Sequence, residues 1–170
     1  MSRAPSTPDL AKVSQSSLIE ILLVQSNPAD TMITIEAFKA AGVTDGLRCI
    51  VEVEDALRYL HREGQYANVR IPDLIFIDLS QPRVSSLEVL KTIKSTEHLL
   101  HIPIVVAAGS DDRDFVRAVY KLNGNCFIRK PGELGEFVRF IRTCHEFWGR
   151  VVTLCPEDEQ VAAGIASGRG

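Results

Sequence analysis

The stretch PDLIFIDLSQPR, residues 72–83, decides the fold of this chain, because four consecutive apolar residues in it lead directly to Asp78. A continuous apolar run as short as Leu74–Ile77 is typical of a central parallel strand that is covered on both faces. Asp78 is therefore expected at the carboxyl end of a strand. Ligands of open α/β sheets bind in the crevice outside these ends, which makes Asp78 the first candidate for a functional residue.

Similar short apolar runs lie on both sides of this stretch, and segments with helical spacing separate them. Asn27 and Pro28 signal the start of the first helix, and Gly42 its end. The helical segments carry the apolar stripes Ile33/Ala37/Phe38/Ala41, Ala56/Leu57/Leu60, Leu87/Leu90/Ile93, Val116/Val119/Tyr120 and Leu134/Phe137/Val138/Ile141/Trp148. The strands are predicted at Leu18–Val24, Leu47–Val51, Leu74–Ile77, Ile104–Ala107 and Cys126–Ile128.

This alternation predicts the α/β class. Five strands, each followed by a helix, give a (βα)5 order, which right-handed crossovers fold into a doubly wound parallel five-stranded sheet of the flavodoxin-like kind. One domain is expected over residues 18–148. Residues 1–17 and 156–170 are rich in small polar or acidic residues and are predicted to be flexible tails.

Composition excludes several classes of function. The formal net charge of −3 offers no basic stripe for nucleic acid. No apolar run reaches the roughly 20 residues of a membrane-spanning helix, and the first residues lack the apolar stretch of a signal peptide, so we expect a cytoplasmic protein. The cysteines have no CxxC spacing and the histidines no ligand spacing, which favours ordinary packing or surface roles for both.

Two charged residues at strand ends carry the candidate chemistry. A carboxylate such as Asp78, partly sheltered at the mouth of the sheet, is a plausible nucleophile toward a phosphoryl group. Lys130 ends the last strand, and the turn at Pro131 directs its ammonium group toward the same crevice. Taken alone, each residue has a simpler interpretation, since Asp often caps a turn and Lys before Pro is often a surface residue.

Four segments, in this order and spacing, resemble the landmarks of response-regulator receiver domains over about residues 18–155. They are ILLVQSNPAD (21–30), PDLIFIDLSQPR (72–83), IPIVVAAGSDD (102–112) and NGNCFIRKP (123–131). The ending EFWGRVVTLCP (146–156) is similar to single-domain regulators that partner bacterial and cyanobacterial phytochrome histidine kinases. The resemblance implies that Asp78 accepts a phosphoryl group, that Lys130 contacts the phosphate, and that Phe127 is the aromatic switch residue.

The chain departs from this family pattern at three places. Gln25 and Ser26 stand where the family has two acidic residues that hold Mg²⁺, and Ala108 stands where it has the Thr or Ser that bonds the phosphoryl group. Ser85-Ser86 replaces the usual Asp-Gly. Because Mg²⁺ prefers several oxygen ligands and only Asp78, helped by the Ser80 carbonyl, remains for it, we expect weak metal binding. Switching through Phe127 is expected to be impaired, unless the hydroxyl of Ser110 reaches the pocket by way of the flexible Gly109.

The segment 149–155 after the last helix is predicted to be an apolar, strand-like arm. An apolar arm with nothing left to cover favours pairing with a second copy of the chain, and the resemblance also implies a symmetric homodimer. The alternative is that the arm folds back on its own domain. The residues assigned to this dimer arm are Trp148, Val151, Val152 and Leu154.

Two functions remain open at this stage. In the first, the chain is a phosphorelay receiver whose partner is a sensor histidine kinase, with a bacteriophytochrome as the kinase that the ending suggests. In the second, it is a pseudo-receiver, a binding or dimerisation module that does not use phosphorylation. An enzyme of another kind has little support, because no glycine-rich phosphate loop or Ser/His/Asp arrangement stands at the strand ends.

Overall fold

The computed structural model describes residues 19–25, 27–79 and 87–156. Five parallel strands form one sheet in the order β2-β1-β3-β4-β5, so β3 is central and β2 and β5 lie at the edges. This order confirms the predicted doubly wound α/β fold. The strands are β1 Ile21–Gln25, β2 Leu47–Ile50, β3 Leu74–Leu79, β4 Ile104–Ala108 and β5 Cys126–Arg129.

The α-helices of the described residues follow the strands in the predicted alternation. Helix α4 begins at Arg113, because the side chain of Asp112 caps it by accepting hydrogen bonds from the backbone N–H groups of Asp114 and Phe115. Short 3₁₀ turns occupy Gly64–Tyr66 and Glu97–Leu99. The α-helices are α1 Pro28–Ala40, α2 Val53–Leu60, α3 Glu88–Lys94, α4 Arg113–Lys121 and α5 Leu134–Glu146.

Helix α1 buries a different face from the one predicted. Ala37 and Phe38 are buried as expected, but Ile33 is 56% exposed and Thr34 is completely buried in its place. Residues 33 and 34 both stand one turn before this pair, so apolar spacing alone could not choose between them. The polar Thr34 turns inward because it has a hydrogen-bond partner there, as described below.

The two faces of the sheet each carry an apolar core. On one face Phe76 packs edge-on against Phe38 of α1, with ring centroids 5.6 Å apart, and the helix α5 residues Phe137 and Ile141 join them. On the other face the strand residues Ile75 and Ile77 pack against helices α2, α3 and α4. In the part of the chain that the structure describes, no helix is long and apolar enough to span a bilayer.

The chain after α5 does not form the predicted strand-like arm. Residues Phe147–Val151 form a π-helix, and the chain then runs without regular structure to Pro156. Trp148 lies in this π-helix and still packs against the same core as the α5 residues Phe137 and Ile141. Trp148 and Leu154 pack against the α1/α5 core of their own domain, whereas Val151 is 69% exposed. The segment therefore folds back in part, as the alternative proposed.

Candidate functional site

Asp78 lies near the end of β3 in the centre of the sheet. The strand register pairs it with Gln25 of β1 on one side and with Ala107 of β4 on the other. The strand reaches this point as an unbroken run of buried residues, which fixes the backbone of Asp78 on both sides. The carboxyl end of β3 therefore holds a carboxylate at the place where sheets of this kind bind their ligands.

Among the described residues, the side chains of Gln25, Thr34 and Lys130 donate hydrogen bonds to this carboxylate. Oδ2 accepts from Gln25 Nε2 at 2.9 Å, from Thr34 Oγ1 at 2.6 Å and from Lys130 Nζ at 2.8 Å. Oδ1 accepts from Lys130 Nζ at 2.9 Å. The ammonium group of Lys130 thus bridges both oxygens of Asp78 and forms a buried ion pair with it.

The fold positions Lys130 for this contact. Its backbone N–H continues the sheet by donating to the carbonyl of Ala108 at 2.8 Å, immediately after the end of β5. Its ammonium group lies 5.3 Å from the ring centroid of Phe137, within range of a cation–π interaction. Only 17% of the Lys130 side chain is exposed. Lys130 and Asp78 therefore meet, as their strand-end positions predict.

Asp78 is less accessible than the sequence suggests. A partly sheltered carboxylate that remains open to a phosphoryl group is expected, and this expectation is wrong for the structure, in which Asp78 has no exposed surface. The three donors come from β1, α1 and the end of β5, so the carboxylate is contacted from three elements of the fold.

Sequence reasoning missed Thr34 as a member of this site. Its hydroxyl also accepts a hydrogen bond from Gln25 Nε2 at 3.3 Å, so the two side chains form one network on Asp78. Both side chains are fully buried. The signal available in the sequence was a polar residue one turn before the buried pair Ala37 and Phe38, a position that otherwise favours an apolar side chain.

The opposite side of the site is apolar. Ala108 is fully buried and presents a methyl group where the family pattern has a hydroxyl. Phe127 on β5 is half-buried, and its ring meets that of Phe115 on α4 edge-on at 6.0 Å. The backbone N–H of Phe127 donates to the hydroxyl of Tyr120 at 3.2 Å. Phe127 is therefore held by packing and by α4.

The described residues do not fit a divalent metal ion. No three His, Cys, Asp or Glu side chains among them gather into a group able to hold a metal. Mg²⁺ needs several oxygen ligands, yet the carboxylate oxygens of Asp78 already accept from Lys130, and Gln25 directs its amide N–H groups toward Asp78. Ser26 and Ser80, the other predicted pocket positions, lie outside the described residues, as do Ser85 and Ser86.

The cysteines form no disulfide within the described residues, and three of the four are half-buried. Burial raises the pKa of the Cys144 thiol to about 12. Burial also raises the pKa of Cys49, and the negative charge of Asp78 adds to this effect. The rings of His61 and His98 touch edge-on at 5.4 Å on the surface. None of these residues donates or accepts a hydrogen bond of the Asp78 network among the described contacts.

Comparison with known proteins assigns this arrangement to a family. The family model for the response regulator receiver domain matches residues 21–142, and the chain therefore belongs to the receiver-domain family. The curated response regulator Rcp1 from Synechocystis sp. is 34% identical over 134 residues, which cover 79% of this chain and 91% of that protein.

Two solved structures are similar over nearly their whole length. The crystal structure of the phosphorylated cyanobacterial phytochrome response regulator RcpA has a TM-score of 0.71 and 36% identity, and covers 81% of this chain and 99% of that one. The Mn²⁺-bound form of Rcp1 has a TM-score of 0.69 and 33% identity, with the same coverage. The receiver fold is thus shared with phytochrome response regulators.

Proposed function

We propose that the chain is a single-domain response regulator of a two-component phosphorelay, in which Asp78 accepts a phosphoryl group from a sensor histidine kinase. The observation that carries this proposal is the Asp78–Lys130 pair at the carboxyl ends of β3 and β5. A carboxylate is the nucleophile, and an ammonium group beside it neutralises the incoming phosphoryl oxygens. The crevice thus brings together a nucleophile and a cation, which are two of the groups that phosphoryl transfer uses.

The transfer itself follows from this geometry. An oxygen of Asp78 attacks phosphorus, the P–N bond of the kinase phosphohistidine breaks, and its electron pair returns to the imidazole nitrogen, which takes a proton from water. Oδ2 already accepts three hydrogen bonds, so we assign the attack to Oδ1. The ammonium group of Lys130 then moves from the carboxylate to the negatively charged phosphoryl oxygens.

Metal binding is expected to be weak and transfer to be slow. A divalent ion has to displace Lys130 from Asp78, and Gln25 offers it one neutral oxygen instead of a carboxylate. In addition, Asp78 has to become accessible before it reacts. Classical switching through Phe127 is also weakened, because Ala108 has no hydroxyl with which to bond the phosphoryl group.

The kinase is expected to be of the phytochrome type, since RcpA is described as a phytochrome response regulator. A phytochrome-linked phosphorelay operates in the cytoplasm, where we place this chain. We further propose a homodimer in which the π-helix after α5 contributes to the contact, because Phe147 and Val151 are large apolar side chains with 47% and 69% exposure. The half-buried Val152 borders this proposed surface, whereas Trp148 and Leu154, which were also assigned to the arm, pack against their own domain.

A pseudo-receiver is the second candidate. The observation that favours it is that Asp78 is completely buried and accepts hydrogen bonds from three elements, which resembles a site that is already occupied. In that case the fold is a binding module, and partner binding does not depend on the charge of Asp78.

Intact-mass measurement after incubation with acetyl phosphate, in Mg²⁺ and in EDTA, separates the two candidates. An 80-dalton adduct, on the order expected for one phosphoryl group, that is absent from Asp78→Asn supports the receiver. A purified phytochrome kinase loaded with labelled phosphate forms the second arm. If neither donor labels the chain in either condition, the receiver proposal is wrong and the pseudo-receiver stands.

A further inference from the structure

Thr34 connects the phosphoacceptor to helix α1. Its hydroxyl donates to Asp78 Oδ2 at 2.6 Å, a shorter contact than those from Gln25 and Lys130. An O–H donor at 2.5–2.7 Å from a carboxylate oxygen is typical of a charge-assisted hydrogen bond, which is roughly twice as strong as a neutral one. Because Thr34 is fully buried, water does not replace this bond when it weakens.

The strength of this bond depends on the charge of Asp78. When Oδ1 carries a phosphoryl group, Oδ2 becomes the carbonyl oxygen of an acyl phosphate and loses its share of the negative charge. Lys130 follows the charge to the phosphoryl oxygens. Thr34 then donates to a neutral acceptor, and its bond falls to about half of its former strength.

Because Thr34 belongs to α1, a weaker hydrogen bond to Asp78 affects a helix that also has an exposed face. Its two preceding neighbours, Met32 and Ile33, are 72% and 56% exposed and lie on the outer face of the same helical turn. On the other side of Asp78, Ala108 has no hydroxyl that responds to the phosphoryl group. The route from Asp78 to a partner surface therefore runs through hydrogen bonds on the α1 side.

We infer that Thr34 is the positioning residue that transmits the charge state of Asp78 to helix α1 and to the Met32/Ile33 surface. This inference rests on the proposed function, in which phosphorylation is the event that changes the charge. Thr34 takes the place of the hydroxyl that Ala108 lacks, but it moves a different element of the fold.

Amide hydrogen exchange measured by mass spectrometry tests this role. Asp78→Asn neutralises the carboxylate without any phosphoryl donor, and Thr34→Val removes the hydroxyl at nearly constant volume. We expect each variant to raise exchange in α1 by about tenfold, because hydrogen bonds to charged groups change an equilibrium by that factor or more. Exchange in α2 serves as the reference, since α2 packs on the opposite face of the sheet.

The double variant is the decisive sample. If Thr34 transmits the charge of Asp78, then Asp78→Asn adds little to the exchange of α1 once Thr34 is Val, and Thr34→Ser retains the wild-type response. Independent, additive effects overturn the inference, and so does an α1 that is unchanged in Asp78→Asn. If the double variant does not fold, the comparison of Thr34→Ser with Thr34→Val in the Asp78 wild-type background still decides whether the hydroxyl protects α1.

Failure of the proposed function is visible separately. The exchange experiment on Asp78→Asn does not depend on phosphoryl transfer. If exchange in α1 rises in this variant but the wild-type protein never forms a phosphoryl adduct, the phosphorelay is rejected and the coupling through Thr34 is retained. If the wild-type protein forms the phosphoryl adduct but exchange in α1 stays at the level of the untreated protein, the coupling is rejected and the phosphorelay is retained.

Discussion

The two sides of Asp78 are built from different chemistry. On the α1 side, Gln25 and Thr34 donate hydrogen bonds to its carboxylate from a fully buried position. On the β4 side, Ala108 is a buried methyl group, and Phe127 is held by its contact with Phe115. The α1 side therefore responds to the charge of Asp78, whereas the β4 side responds only to volume and packing.

This difference shows how a receiver pocket keeps its central ion pair while its connections change. Lys130 supplies the positive charge that other sites take from a metal ion, and it is anchored in the sheet by its own backbone N–H. Because Lys130 balances the negative charge of Asp78, the residues on either side of the carboxylate can differ. The α1 side carries hydrogen-bond donors, and the β4 side carries a buried methyl group.

The largest expected effect follows from removing the group that balances the charge. Lys130→Met leaves the carboxylate of Asp78 buried without its cation, and we expect the free energy of unfolding to fall by about 3–5 kcal/mol. Urea denaturation measures this loss. Lys39→Met is the matched control, because the Lys39–Glu36 pair is more than half exposed and its loss costs less than about 1 kcal/mol. A loss below that level in Lys130→Met contradicts the buried ion pair.

The α1 side predicts the next largest effect. Thr34→Val removes a hydrogen bond to a buried carboxylate, and we expect the free energy of unfolding to fall by about 1.5–3 kcal/mol. Thr143→Val is the control, since Thr143 donates to the Arg139 carbonyl on the exposed face of α5 and its substitution changes stability by less than about 0.5 kcal/mol. Equal losses in the two variants show that the Thr34 contact does not depend on the charge of Asp78.

The β4 side is tested by adding the hydroxyl group that Ala108 lacks. Ala108→Ser places a hydroxyl in a fully buried position, and we expect a loss on the order of 1 kcal/mol in the absence of a phosphoryl donor. After treatment with acetyl phosphate, the aromatic resonances of Phe127 should shift in this variant more than in the wild type. If they shift equally in both proteins, then the missing hydroxyl does not set the difference between the two sides.

The smallest expected effect tests how far the electrostatic influence of the Asp78 carboxylate extends through the protein. Burial raises the pKa of Cys49 on β2, and the charge of Asp78 raises it further, whereas burial alone raises the pKa of Cys126 on β5. Asp78→Asn should therefore lower the pKa of Cys49 and speed its alkylation by iodoacetamide by a factor of about two to three, because the thiolate is the reactive form. Peptide mapping gives Cys126 as the internal control, and equal acceleration at both thiols contradicts the prediction.

The fold was predictable because its central strands are continuously apolar. Leu74–Ile77 and Ile104–Ala107 identified two neighbouring strands, and the order of the remaining runs determined the topology. Local geometry was less predictable. The phase of α1 was wrong by one residue, because Ile33 looked like a core residue and Thr34 like a surface residue. At the other end of the chain, a π-helix cannot be recognised from apolar spacing that assumes 3.6 residues per turn.

The site was predictable where it depends on strand ends and unpredictable where it depends on helix phase. Asp78 and Lys130 meet because the carboxyl ends of β3 and β5 lie on the same edge of the sheet. Thr34 reaches them only because α1 is rotated to bury it. The partners of the carboxylate all lie far from Asp78 in sequence, and so its complete burial could not be inferred from its own sequence neighbourhood.

The hydrogen bond from Phe127 to Tyr120 has a consequence for assembly. Strand β5 lies at an edge of the sheet, and an edge strand with unpaired N–H groups invites strands of other molecules to extend the sheet. The Tyr120 hydroxyl already accepts the N–H of Phe127 in the middle of this edge. Copies that approach β5 are therefore expected to associate through side chains, which keeps the encounter reversible and protects the chain against sheet-based aggregation.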